Sequence, residues 1–348
     1  MHSFDGHNDV LLRLWRQDND SVAAFLEGES RGQLDLPRAQ AGGLIGGLYA
    51  IFVPSEGKQS NTAPVDAVPY DIPVPVPPEM THAQRATVEM ASLLFRIAQR
   101  SDGRVRIARS VADIRAAKEA GAHAPVLHIE GCEALDDDFK MLDVLYAAGL
   151  RSLGPVWSRS NIFGHGVPFR YPSSPDTGDG LTDLGKELIK RCNEMRILID
   201  LSHMNEKGFW DIAKLSNAPL IATHSNAHAL CASSRNLTDK QLAAIRETGG
   251  LVGVNYAVSF LRTDGRRIAA TPLDTVVDHI AYLVDRLGED GVALGSDFDG
   301  AMIPEAIQSA AGLPNLVAAM RARQFDDALI EKICFENWMR VLVRTWGE

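Results

Sequence analysis

Eight short apolar runs recur along the chain, and their apolar character is continuous rather than alternating. A strand with one face in water alternates polar and apolar side chains; a strand covered on both faces does not. The runs are 4–10 (FDGHNDV), 42–53 (GGLIGGLYAIFV), 124–131 (APVLHIEG) and 151–157 (RSLGPVW) in the first half. The second half supplies 196–203 (RILIDLSH), 218–225 (APLIATHS), 250–256 (GLVGVNY) and 292–300 (VALGSDFDG). Helical periodicity lies between many of them, over 83–101, 110–120, 138–148, 183–194, 205–214, 238–247 and 273–287, with a closing helix at about 326–346. Thr182 before DLGKELIKRC and Thr238 before DKQLAAIRE are helix-start signals. Doubly covered strands alternating with helices predict an α/β fold of the (β/α)8 TIM-barrel type. A doubly wound open sheet is the alternative, but no G-x-G-x-x-G turn and no P-loop supports it. A length of 348 residues suits one barrel domain spanning 1–348.

Two segments depart from this alternation. Residues 54–81 (PSEGKQSNTAPVDAVPYDIPVPVPPEMT) are rich in proline and polar residues and read as a surface excursion, a solvated loop before a flap. Residues 158–180 follow the fourth run and make the better lid candidate, because loops after barrel strands gather at the carboxyl face. The formal net charge of −10 argues against a nucleic-acid partner, and no Lys/Arg cluster suits a membrane surface. No run of about 18 apolar residues suggests a span. The N-terminus lacks the charged and apolar regions of a signal peptide, so a cytoplasmic protein is expected. Cys132, Cys192, Cys231 and Cys334 are scattered without a C-x-x-C pair, as buried reduced thiols would be.

The chemistry lies where the runs end. In the first, His7 and Asp9 are two residues apart, so on a strand they project to one face, as two ligands of one ion would. Glu130 ends VLHIE, His203 ends ILIDLSH, His224 ends LIATH and Asp297 ends VALGSD. Any one of these could be a satisfied core residue. Six such groups at the carboxyl ends of strands in one barrel are not comfortably explained that way. Histidine and carboxylate without thiolate suit zinc or another divalent ion. Three His and three carboxylates exceed what one catalytic zinc needs, and fit two ions about 3.5–4 Å apart, bridged by a carboxylate and a hydroxide. Glu130 is the bridging candidate, with His7 and Asp9 on one ion and His203 and His224 on the other. Asp297 is then left to handle the proton of the attacking water.

The set GHNDV, HIEG, LIDLSH, THSNAHALCASSRN, LGSDFDG and ENWMRVL resembles the renal (membrane) dipeptidase family of binuclear zinc peptidases, within the amidohydrolase-like barrel superfamily. The resemblance spans nearly the whole chain. It implies two Zn2+ per chain, with His7, Asp9 and Glu130 on the first ion and Glu130, His203 and His224 on the second. It also implies Asp297 as the catalytic carboxylate and Arg235, in SSRN, as the holder of the substrate's terminal carboxylate, a task suited to a guanidinium fork. The implied substrate is a dipeptide, with tolerance of a D-residue at the second position, and a homodimer is allowed. One departure stands out: Trp157 occupies the position where mammalian-type members carry a His that helps polarise the scissile carbonyl. His165, in NIFGHG, could substitute, but a solvated loop residue is the plainer reading. Asn337 matches a family position near the substrate, although FEN departs from the usual Gly-x-Asn. His128 and His228 read as supports behind the ligands, His279 as packed and Asp200 as structural. An amidase, deacylase or lactonase on the same metal barrel is the alternative that Trp157 and the two excursions leave open.

Overall fold

The computed structural model describes residues 1–55 and 67–347. Eight parallel strands form the barrel: β1 (Ser3–Asn8), β2 (Leu44–Phe52), β3 (Ala124–Glu130), β4 (Leu150–Gly154), β5 (Leu198–Ile199), β6 (Ile221–Ser225), β7 (Leu251–Val254) and β8 (Val292–Leu294). Ladders join β1 through β5 in one arc and β6 through β8 in a second. Two isolated parallel bridges, Asp200 to Ile221 and Asn8 to Phe298, complete the ring. Nearly every strand residue is buried, which is what the continuous apolar runs require of strands walled by helices. Eight predicted runs match the eight barrel strands.

Strand ends differ from the sequence reading in an instructive way. The predicted fourth, fifth and eighth strands run on to residues 157, 203 and 300, whereas the ladders stop at Gly154, Ile199 and Leu294. Beyond them the chain turns sharply, and His203, Asp297 and Asp299 adopt left-handed φ of 65°, 60° and 66°. Non-glycine residues held there carry strain that surrounding structure must overcome, and such positions cluster at functional sites. β1 likewise ends at Asn8, and Asp9 is the N-cap of a short helix, Val10–Trp15.

The expected helix starts are present. Thr182 accepts from the Gly185 amide, and Thr238 and Gln241 form a reciprocal capping box. The closing helix is instead broken into Asp327–Glu331, a π-turn at Lys332–Glu336 and Asn337–Trp346. That last helix seals the amino end of the barrel. Trp338 packs on Phe4 with ring centroids 6.1 Å apart and donates its indole N–H to the Leu294 carbonyl at 2.9 Å. A Cβ on Gly6 would fall 2.5 Å from the Trp338 ring and 2.3 Å from the Thr223 carbonyl, so only glycine lets the floor close.

Parts of the two excursions meet. Residues Tyr70–Asp71 pair antiparallel with Arg170–Tyr171, reinforced by an Arg170–Asp71 ion pair at 2.8 Å. Residues 56–66 of the first excursion lie outside the described residues. Among the described residues no helix is long and apolar enough to cross a membrane.

Candidate metal centre

At the carboxyl end of the barrel the strand-end groups converge. Glu130 Oε1 lies 3.1 Å from His203 Nε2, 3.4 Å from His224 Nε2 and 3.6 Å from His7 Nε2. His7 Nε2 is 3.4 Å from Asp9 Oδ2, and His203 Nε2 is 3.1 Å from His224 Nε2. The ligand-type atoms of His7, Asp9 and Asp297 also cluster within 4.8 Å of one another. The structure thus brings six predicted groups together, although Asp9, His203 and Asp297 reach the cluster from turns rather than from strands.

The chemistry of this cluster is that of a cation site. His7 Nδ1, His7 Nε2 and Glu130 Oε1 are buried without a hydrogen-bond partner. Such orphaned groups are costly, and a metal ion is one thing that satisfies all of them. Burial pushes Glu130 up to about 8 against the pull of His7. Burial also opposes protonation of His7, but Glu130, Asp9 and Asp297 outweigh it and push that imidazole up to about 10. The excess negative charge therefore draws in protons where a divalent cation would serve better. Burial, then the positive charge of Arg235 and His7, holds His203 and His224 well below the usual range, in the neutral form that ligates metal.

A second layer orients these ligands. His203 Nδ1 meets Ser158 Oγ at 2.7 Å. His224 Nδ1 meets Thr223 Oγ1 at 2.8 Å, and that hydroxyl donates to Asp200 Oδ2 at 2.6 Å. Asp200 also accepts the Ser202 and Thr223 amides, so it is the structural residue the sequence suggested. Asp297 Oδ2 accepts from Asn255 Nδ2 at 2.9 Å. Burial raises the Asp297 carboxyl, partly offset by His7. A Cβ on Gly300 would stand 2.1 Å from Asp9 Oδ2 and 2.5 Å from Asp297 Oδ1, so glycine is needed for both carboxylates to approach.

Above the cluster lies a cavity of about 290 Å³, with Asp9, Glu130, His203 and Asp297 at its base. Its walls include Phe52, Trp157, Phe169 and Phe260, and Tyr70 and Ile72 come from the first excursion. The 70–72 stretch is thus part of the cavity wall, contrary to the reading of a plain solvated loop. Trp157 lines the cavity with its ring 5.6 Å from that of His203. Arg235 is buried beside the cluster, donating to Ser225 Oγ and the His224 carbonyl while its Nε has no partner.

Other expectations are corrected. Asn337 is at the opposite end of the barrel, where its amide donates to the carbonyls of Glu289 and Val292. Val292 begins β8, so the Asn337 side chain anchors the sealing helix and does not reach the cavity. His228 bonds the Ser173 carbonyl and does not back a ligand, while His165, considered as a stand-in for the family His, bonds Ser160 and does not line the cavity. His128 bonds Ser152 and packs edge-on against His7, as a support would. His279, bonded to the Leu261 carbonyl, is packed as expected. The sequence reading missed Arg159, whose buried guanidinium pairs with Glu133 and binds the Val53 carbonyl, tying the second excursion to the end of β2. It also missed Asn255, although GVNY ends an apolar run as the ligand motifs do.

Known proteins agree with this geometry. The family model described as membrane dipeptidase (peptidase family M19) matches residues 1–345. A metallo peptidase from Rhodobacter sphaeroides, crystallised with a phosphinate mimic of the dipeptide L-Ala-D-Ala, is 50% identical with TM-score 0.97, covering 99% of both chains. The crystal structure of the metallo peptidase dipeptidase AC is also 50% identical, with TM-score 0.96 over 100% of this chain and 99% of its own. An uncharacterized protein from the pqqA 5' region of Klebsiella pneumoniae is 50% identical over 260 residues, 75% of this chain and 96% of its own. The chain therefore belongs to the membrane dipeptidase family and is a metallo-dipeptidase.

Proposed function

We propose that this chain is a binuclear zinc dipeptidase acting on free dipeptides, with a D-residue tolerated at the second position. The observation that carries the reading is Glu130 Oε1, orphaned and within 3.6 Å of three imidazole nitrogens, the setting of a bridging carboxylate. His7 and Asp9 would complete one ion and His203 and His224 the other. When bound, such an ion pair lowers the pKa of water toward about 7 and polarises a carbonyl. Asp297 takes the proton of the attacking water and returns it to the departing amine. Arg235, with its unpaired Nε, holds the substrate's terminal carboxylate, and Trp157 bounds the pocket beside the scissile bond. The L-Ala-D-Ala mimic bound by the Rhodobacter relative supports the D-residue tolerance. Four buried free cysteines suit a cytoplasmic setting.

The test is hydrolysis of matched L-Xaa-L-Yaa and L-Xaa-D-Yaa dipeptides by zinc-loaded protein, with and without chelator. Cleavage of both series that disappears with chelator and returns with zinc is expected. A protein that holds two zincs and cleaves no dipeptide, yet opens N-acyl or lactone substrates, would give the site to the amidase, deacylase or lactonase alternative.

A further inference from the structure

Just past β7 stands Asn255, a buried polar residue at the level of the His and carboxylate cluster that does not join it. The register of β7 and β8 sets Val254 opposite Leu294, so Asn255 stands beside the turn that carries Asp297. Its Nδ2 donates to Asp297 Oδ2 at 2.9 Å, and its Oδ1 accepts the Ala257 amide at 2.6 Å. The second contact fixes the first. A backbone N–H can only donate, so Oδ1 must face Ala257 and the NH2 group must face the carboxylate. An NH2 group in turn can only donate, so Asp297 Oδ2 is held as an acceptor and Oδ1 is left for the reaction. The Asn255 carbonyl is itself held at 2.9 Å by Asn226 Nδ2, two residues beyond His224. Asp297 has need of such a guide, because it sits on a left-handed turn three residues past the β8 ladder.

We infer that Asn255 is a positioning residue, selecting Oδ1 of Asp297 as the oxygen that exchanges the proton, and coupling that choice through Ala257 to the cavity wall. The inference rests on the reading of Asp297 as the proton carrier. Asn255→Asp keeps an acceptor for the Ala257 amide but puts a carboxyl group in place of the donor to Asp297. Asn255→Leu removes both without adding charge, and Asn255→Ala removes the packing as well.

The experiment measures kcat, KM and zinc content for these variants in wild-type and Asp297→Asn backgrounds, using a dipeptide the wild type cleaves. Asn255→Asp and Asn255→Leu should each lower kcat roughly 10- to 100-fold, the scale of a misplaced proton-transfer group, with KM and zinc content held. In the Asp297→Asn background the same changes should do little more, because both act on one group. Full kcat in Asn255→Leu, or an equal further loss in the Asp297→Asn background, would reduce Asn255 to a structural residue and overturn the inference alone. Full turnover by Asp297→Asn would remove the proton carrier itself, and both readings with it.

Discussion

His7 and His123 are both buried in the barrel wall, and they are built in opposite ways. His123, just before β3 at the amino end, has both ring nitrogens engaged: Nε2 with Tyr49 Oη at 2.5 Å and Nδ1 with the Leu44 carbonyl at 3.1 Å. A carbonyl only accepts, so Nδ1 carries the proton and Nε2 accepts from the tyrosine. His7, on β1 at the carboxyl end, has no hydrogen-bond partner at either nitrogen. Polar satisfaction, not burial, separates the histidine that holds the fold from the one kept for chemistry. The same contrast extends to the two ends of the barrel. One is closed by Phe4, Trp338 and Trp346 with their indole N–H groups bonded; the other concentrates orphaned atoms around Glu130.

The largest effect that could break this comparison is at the carboxyl end. Glu130→Gln should lower dipeptide turnover by roughly three orders of magnitude or more, through loss of the metal pair. The chelated variant should nevertheless unfold no more easily than the chelated wild type, because one of three crowded buried carboxyl groups has been replaced by a neutral amide of the same shape. Urea unfolding of both chelated proteins checks this. A marked loss of stability would mean that Glu130 serves the fold as well. Next in size, Trp338→Ala should lose about 3–5 kcal/mol of stability by leaving a cavity in the floor. Its zinc-loaded folded fraction should keep the wild-type KM. A raised KM with normal stability would show that the two ends are not separable in the way described.

The smallest effect concerns His123. Burial pushes its folded pKa down to about 4, below the ordinary value of 6.5. Between these values the unfolded chain binds the proton and the native protein does not. Stability is therefore intact above 6.5 and is lost as pH falls toward 4. The loss attributable to His123 between pH 6.5 and 5 is about 2 kcal/mol. Comparison of chelated wild type with His123→Gln, each unfolded in urea at both pH values, should show the smaller drop in the variant. Equal drops would mean that His123 is protonated without penalty.

The barrel and the residues that cluster at its mouth were legible because one physical demand wrote both signals. Parallel strands covered on two faces must be apolar throughout, so a His, Asp or Glu closing such a run stands out against it. Strand ends were less legible. Where they end is set by the turns at His203 and Asp297, and a φ above zero leaves no mark when the residue is not glycine. The aromatic walls, Phe52 at a strand end, Phe169 in a loop and Phe260 in the short helix Val258–Leu261, are brought together by packing that has no sequence period. Asn337 shows the opposite failure. The motif around it resembles a substrate-binding segment, but an amide is equally suited to tying a helix to backbone carbonyls, and only the geometry tells the two uses apart.

The contact between Trp338 and Gly6 bears on how the protein is made. Trp338 lies 332 residues after Gly6 in the chain, so the indole that packs beneath β1 is synthesised long after that strand. The nascent chain thus carries His7 through the synthesis of the whole barrel before the floor beneath it can close. For the proposed metal centre, loading should accordingly follow closure of the floor, and fragments that stop short of Trp338 should bind zinc poorly even when they contain His7, Asp9 and Glu130.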